Sequence, residues 1–332
     1  MLFRSFLILW LSICLFAGCD ERKTSLRPPQ EEPRYSTGDV PEFGGTGFAG
    51  KDWENAEGLE PFGDPKAVKG GTLKIRLSSY PATLRFVGKD TNSRTNSILQ
   101  GLMYETLLKL HPGTLECIPS LATHWQILRD QKTFRFRLDP KARWADGTPV
   151  TCEDVIASWK LRIDPGLESP DTLKMYEKLS CPVAESTYIV NVTTQELDWQ
   201  LFLNFATGMY IYPASVLKEI SGKEYMAEYN EKVMMGSGPY RLVSFGMKTS
   251  QDLCFERRSE HWAKSERFTE KLYNFDKIQF IIEPDSENAF QRFKKGEYDI
   301  YSVNVSSQWI QSSQFDEIKR GIIQRRDRKS VV

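Results

Sequence analysis

The chain has 332 residues, 40% of them hydrophobic, which is enough for two or three domains with real cores. Basic and acidic residues number 44 each and no basic stripe stands out, which argues against a nucleic-acid partner. Beyond the N-terminal segment no apolar run approaches the roughly 20 residues that a membrane-spanning helix needs.

At the N-terminus, Arg4 precedes an apolar run from Phe6 to Phe16, closed by Ala17-Gly18-Cys19. A run of about ten apolar residues ending in small ones is an export signal rather than a spanning helix. The cysteine directly after it resembles the attachment site of a bacterial lipoprotein precursor, departing from that pattern at Phe16, where leucine is usual. The resemblance implies a signal peptide over 1–18, a diacylated Cys19 and anchorage to a membrane. Asp20 resembles the residue that retains some such proteins at the inner membrane. The alternative is an ordinary cleaved signal followed by a chance cysteine. An exported chain has no ATP or NAD(P)H to work with, so it binds something, cuts something or builds the envelope, and no cofactor is expected.

Residues 19–70 read as a tether. Arg27-Pro28-Pro29-Gln30-Glu31-Glu32-Pro33 is polar and proline-rich, and Gly44-Gly45-Thr46-Gly47 follows. The aromatics Phe43, Phe48, Trp53 and Phe62 indicate that part of it packs on the body. Order begins at Lys69-Gly70-Gly71. Alternation over Thr72–Leu77 predicts a strand, and apolar residues at helical spacing (Ile98, Leu99, Leu102, Met103, Leu107) predict a helix over Asn96–Leu110. A strand over Thr133–Leu138 follows. A helix is expected over Thr151–Leu161, with Thr151 as its N-cap and Glu153 and Asp154 in its first turn. Tyr188–Val192 and Ile278–Ile282 read as strands, Glu287–Lys295 as a helix stopped by Gly296, and Tyr298–Tyr301 as a short strand. Strands and helices alternate without internal repeats, so the fold class is α/β or α+β. Cys117, Cys152, Cys181 and Cys254 are scattered with no Cys-x-x-Cys pair, which disfavours zinc; disulfides and buried thiols both stay open.

Seven segments in order carry a resemblance to a known family. They are Lys69-Gly70-Gly71-Thr72-Leu73, Tyr104-Glu105-Thr106-Leu107-Leu108, Pro119-Ser120-Leu121-Ala122-Thr123-His124-Trp125, and Thr133–Leu138 leading into Trp144-Ala145-Asp146-Gly147-Thr148-Pro149-Val150-Thr151. Glu153-Asp154-Val155, Gly236-Ser237-Gly238-Pro239-Tyr240-Arg241-Leu242 and Phe293–Ile300 complete the set. Together they resemble the family 5 extracellular solute-binding proteins of ABC importers, the peptide and nickel-binding group. Asp64–Gly71 leans toward the oligopeptide and microcin-type branch. On the residues alone, these motifs describe a scaffold: Asp146-Gly147 is a turn pair, Trp125 and Trp144 are core anchors, and Gly236 and Gly238 serve a tight turn before a strand.

The resemblance implies a periplasmic-binding-protein-like (type II) fold of two lobes with a small inserted domain, closing over ligand by a hinge. Lobe I would take 71–110 and 197–303, the inserted domain 111–196, and lobe II would begin at Asn304, residues 304–332 being its start. Family members run further than Val332, so a truncated second lobe is expected, leaving an apolar face and sheet edges exposed. The loop Asp90-Thr91-Asn92-Ser93-Arg94 would face the cleft, Arg94 pairing with a peptide carboxylate. Asp171 falls where a relative would place a cleft aromatic, and Tyr301 lies near the lobe crossing. The implied ligand-binding set is therefore Asn92, Ser93, Arg94, Asp171 and Tyr301. The implied partners are a peptide or similar small solute, the subunits of an ABC permease and, through lipid, a membrane on the periplasmic side, with the chain a monomer. The competing readings are an envelope hydrolase and a fragment without transport function. The three histidines, His111, His124 and His261, sit in no catalytic motif, and neither Gly-x-Ser-x-Gly nor His-Glu-x-x-His occurs.

Overall fold

Alternating apolar residues build one strand in each of two sheets, and the chain threads both. The computed structural model describes residues 40–246, 251–303, 305–312, 314–321 and 323–324. The export signal, Cys19, the first part of the expected tether and Asn304 lie outside the described residues. From strand β1 (Thr72–Leu77) the chain enters helix α1 (Arg94–Met103), then a hairpin of β2 (Leu108–Leu110) and β3 (Cys117–Pro119). A second, antiparallel sheet follows from β4 (Ala122–Ile127), β5 (Thr133–Leu138), β6 (Val183–Ala184) and β7 (Ile189–Thr193), ordered β4-β5-β7-β6. Helices α2 (Cys152–Arg162) and α3 (Pro170–Tyr176) fall between β5 and β6. Helix α4 (Trp199–Leu203), a π-helical turn over Asn204–Gly208, α5 (Ala214–Leu217) and α6 (Gly222–Glu228) carry the chain back. Strands β8 (Tyr240–Gly246), β9 (Gln251–Arg257) and β10 (Lys277–Ile282) then complete the first sheet, ordered β1-β10-β9-β8. Helices α7 (Ser286–Lys294), α8 (Ser306–Ser312) and α9 (Asp316–Lys319) end the described elements.

The β1–β10 pair is parallel, in register from Thr72↔Lys277 to Leu77↔Ile282, and the remaining neighbours in that sheet are antiparallel. The strands of the first sheet fall within 71–110 and 197–303, and those of the second within 111–196. The second sheet buries Phe134, Phe136 and Leu138 with Trp125, Trp144 and Trp159. Trp125 and Trp144 are 3% and 2% exposed, so both are core anchors, each burial contributing about 1.5–3 kcal/mol. The first sheet packs Phe255 and Phe280 against Leu99 and Met103 of α1 and Tyr225 of α6.

Several local expectations change. The helix over 96–110 stops at Met103, and Leu108–Leu110 is a strand. Tyr104 N still bonds Gln100 O, but Tyr104 itself is extended, its ring buried beside Tyr212 and its hydroxyl donating to Met234 O at 2.6 Å. Tertiary packing thus overrides a continuous helical pattern. Residues 298–301 make one parallel bridge, Ile75↔Ile300, rather than a strand. Gly236 and Gly238 answer to a close approach: a Cβ at Gly236 would overlap the Met103 carbonyl oxygen, and one at Gly238 would lie 2.6 Å from the Met103 carbonyl carbon. Gly147 does hold φ +88, and Thr148 N bonds Asp146 Oδ1 at 2.9 Å, the turn its sequence describes. At α2, Thr151 is the N-cap and Asp154 reaches back to it, accepting from Thr151 N at 2.7 Å.

Residues 40–62 lie on the body as a strap. Glu54 pairs with Trp125. Arg137, buried on β5, donates to Gly44 O at 2.6 Å and Gly45 O at 2.9 Å, beneath the Phe48 ring. Arg135 lies 4.8 Å from the Trp53 ring. Further along, Arg267 donates to Glu57 O at 2.8 Å and Phe62 meets His111 edge-on. Phe43 and Phe62 stay 41% and 38% exposed, while Phe48 and Trp53 are half-buried.

Candidate functional site

Parallel strands place the loops after their carboxyl ends on one edge of a sheet, and ligands of open α/β sheets bind outside that edge. In this chain the edge is set by Leu77 and Ile282, the last paired residues of β1 and β10. The segment after β1 runs to α1 and ends in the loop 88–94. It is held from below by Asn96, whose amide donates to Thr83 O and Arg85 O, both at 2.8 Å. Phe86 N reaches the Tyr225 hydroxyl at 3.4 Å and Leu84 N bonds Asn230 O at 2.8 Å.

Within the loop the three expected residues separate by role. Ser93 is the N-cap of α1: its hydroxyl accepts from Asn96 N at 3.0 Å and donates to Asn96 Oδ1 at 2.6 Å. Its polar capacity is engaged in the helix end. Asn92 and Arg94 are exposed and project from a scaffold that Ser93 and Asn96 fix. Asp90 holds φ +66 and Gly88 φ +96, so the loop turns sharply. A Cβ at Gly88 would meet Met226 Sδ at 2.7 Å, which explains glycine there.

Asp171 is exposed in the first turn of α3, two residues after the N-cap Ser169, where the helix dipole favours a carboxylate. The fold brings its neighbourhood to the loop: Lys89 N bonds Leu167 O at 2.9 Å, and Lys89 Nζ pairs with Glu168 at 3.2 Å. Tyr301 sits in a separate cluster past β10. Its hydroxyl donates to Ser286 O at 3.0 Å and its ring stacks on Phe293 at 5.3 Å, with Arg76 6.0 Å away. Burial pushes the phenol pKa up while Arg76 opposes the shift, so Tyr301 offers a neutral ring rather than an ion.

One cluster escaped the sequence. Glu105, 2% exposed, accepts from Trp262 Nε1 at 2.9 Å and faces His261 Nε2 at 3.4 Å. Burial works against its charge, but the bond and charge of His261, with Lys109 and Trp262, outweigh that and hold the carboxyl below its ordinary range. A charged residue inside the apolar run Tyr104–Leu110 was the available signal. Two cavities flank this stretch. One of about 290 Å³ is lined by Glu105, Asp139 and Trp262 together with Asn55 and Glu57 of the strap. The other, about 360 Å³, lies at the end of α1 beside Lys109 and Tyr210. Among the described residues no group of three or more His, Cys, Asp or Glu side chains is placed to hold a metal ion, and no helix is long and apolar enough to cross a membrane.

The fold and its edge loops define a class, and comparison with known proteins agrees. Residues 116–330 match the model of bacterial extracellular solute-binding proteins, family 5 Middle, and the chain belongs to that family. It is 28% identical over 273 residues to "Probable peptide-binding protein YejA" of Agrobacterium fabrum, covering 80% of this chain and 43% of that one. It is 25% identical over 217 residues to the dipeptide-binding protein DppE of Bacillus subtilis, covering 61% and 37%. Among solved structures it superimposes on the oligopeptide-binding protein AppA of Bacillus subtilis, in complex with a nonapeptide, with a TM-score of 0.65, 19% identity, and coverage of 76% of this chain and 47% of the other. The chain therefore has the periplasmic-binding-protein-like α/β fold and spans less than half the length of these relatives.

Proposed function

We propose that the chain is the substrate-binding component of an ABC importer, taking peptides or a similar small solute at the 88–94 edge and delivering them to a membrane permease. The observation that carries the reading is the exposed Arg94 on a loop held at the carboxyl edge of the parallel β1–β10 pair, with the Leu167–Glu168 turn that precedes Asp171 bonded to Lys89 of the same loop. A guanidinium presented in that way suits a peptide carboxylate. Asn92 supplies a neutral donor and acceptor, Ser93 fixes the loop, and the Tyr301 ring lines the far end. The domain limits fit this reading: lobe I over 71–110 and 197–303, the inserted domain over 111–196, and the opposing lobe starting at 304. The N-terminus is read as a signal over 1–18 and a lipid-bearing Cys19 that holds a monomer at the periplasmic side of the inner membrane.

The three histidines support binding over hydrolysis. His111 bonds Glu60 O at 3.1 Å, His124 bonds the Thr123 hydroxyl at 2.9 Å under Phe48, and His261 faces Glu105. The test is a calorimetric titration of the protein and its Arg94→Ala variant with a pool of short peptides. Saturable binding that weakens about tenfold in the variant supports the reading. Equal binding by both, or turnover of the peptides, overturns it.

A further inference from the structure

The cavity of about 360 Å³ lies at the other end of α1 from the proposed cleft. Ser93 starts the helix and Gly101 lines the cavity, eight residues on at about 1.5 Å per residue. The direction of the parallel strands agrees. Tyr273, which faces the cavity's lysine, precedes the first residue of β10, whereas Tyr301 and Ser286 follow its last. The cavity thus belongs to the amino edge of the sheet.

Its walls come from three elements: Gly101 and Tyr104 from α1 and its exit, Thr106, Lys109 and Leu110 from the β2 strand and its lead-in, and Thr207 and Tyr210 from the π-helical turn and its exit. The bridge Thr106↔Tyr210 and the bond from Arg162 to Tyr210 O at 2.9 Å fix that last wall. Two hydroxyls are already engaged as donors, Thr106 to Leu108 O at 2.6 Å and Thr207 to Leu203 O at 2.9 Å. The Tyr210 hydroxyl lies against Gly101, where a Cβ would stand 3.3 Å away, so any larger residue there would crowd it. Lys109 carries its ammonium 5.9 Å from the Tyr273 ring and forms no ion pair with a carboxylate among the described residues. A half-buried cation whose nearest carboxylate, Glu105, acts on it only through space, beside the Tyr210 phenol, leaves room in this cavity for an anion in direct contact.

We propose that this cavity is a second ligand site, distinct from the cleft, that takes a small oxyanion on Lys109 and Tyr210. Lys109 supplies the charge and Tyr210 a directional hydrogen bond. The Tyr104 and Leu110 side chains form the apolar floor, which suits a carboxylate or phosphate carried on a small apolar body. Glu105, four residues before Lys109, acts on it through space but points its carboxylate to His261 and Trp262 and so does not fill the place.

The experiment titrates the intact protein with inorganic phosphate and, separately, with a short-chain carboxylate such as butyrate, followed by calorimetry at constant ionic strength. Saturable binding of one or both is expected, and the stronger ligand tells phosphate from carboxylate. Lys109→Met should weaken it about tenfold or more, Tyr210→Phe by several-fold, and Lys109→Arg should retain it. Arg94→Ala should leave it unchanged, which separates this site from the cleft. Circular dichroism checks that each variant folds, and Tyr210→Phe keeps the test decisive if Lys109→Met does not fold. Absence of saturable binding by either anion, or binding unchanged in folded Lys109→Met or in Tyr210→Phe, overturns the proposal.

Discussion

Glu105 makes a buried contribution to stability that acid removes. Its folded pKa lies below its ordinary value, so the unfolded chain binds the proton more readily. Its contribution is complete above about pH 4.5 and fades as pH falls through the lower folded value. Urea denaturation across that window should show stability dropping with acid. Glu105→Gln should flatten that part of the slope while costing about 1–3 kcal/mol at neutral pH, because Trp262 loses a charged acceptor and His261 the carboxylate it faces. A slope unchanged in the variant would refute the assignment. Two neighbouring loop residues should likewise part company. Ser93→Ala removes a cap and should destabilise by about 1 kcal/mol, whereas Arg94→Ala should stay within about 0.5 kcal/mol in stability and alter binding. Gly236→Ala should cost about 1–3 kcal/mol or more, since its Cβ meets backbone rather than a movable side chain, while Gly58→Ala, with open space around it, should be neutral. The sequence could show that Gly236 was glycine, but only the fold shows that Met103 O is the reason.

At the scale of elements, periodicity was readable wherever one face is buried and the segment stands alone. The strands over 72–77, 133–138 and 277–282 and the helices α2 and α7 all appear within a residue or two of the expected bounds. It failed where a pattern ran through a change of element. The apolar spacing from Leu99 to Leu107 continues across Tyr104, but burial of Tyr104 against Tyr212 stops the helix and sends Leu108 into a hairpin. Long-range pairings left no local trace: β4 carries no clean alternation, and Arg137 finds its partners on Gly44 and Gly45. That contact makes the strap testable. Arg137→Met should strip two bonds from Gly44 and Gly45, speed amide exchange over 43–54, and lower stability by about 2–3 kcal/mol. Unchanged exchange there would mean that the aromatic contacts of Phe48 and Trp53 hold the strap alone.

At the scale of the molecule, the two sheets, the parallel β1–β10 pair of the first and the family match define what kind of protein this is, and the motif order in the sequence already pointed there. The candidate site was legible only in part. Position in the family pattern proposes the loop, but the division of labour between Ser93 as cap and Arg94 as exposed cation depends on Asn96, and the approach of the turn before Asp171 depends on the Lys89–Leu167 bond. Neither pairing has a local signature. The central claim, that the carboxyl edge of β1 and β10 is the ligand-facing wall, is tested most directly by hydrogen–deuterium exchange of the protein with and without a saturating pool of short peptides. Slowed exchange concentrated in 88–94, 167–172 and 299–303 is the predicted result. Unchanged exchange in those segments while the peptides demonstrably bind elsewhere would contradict it.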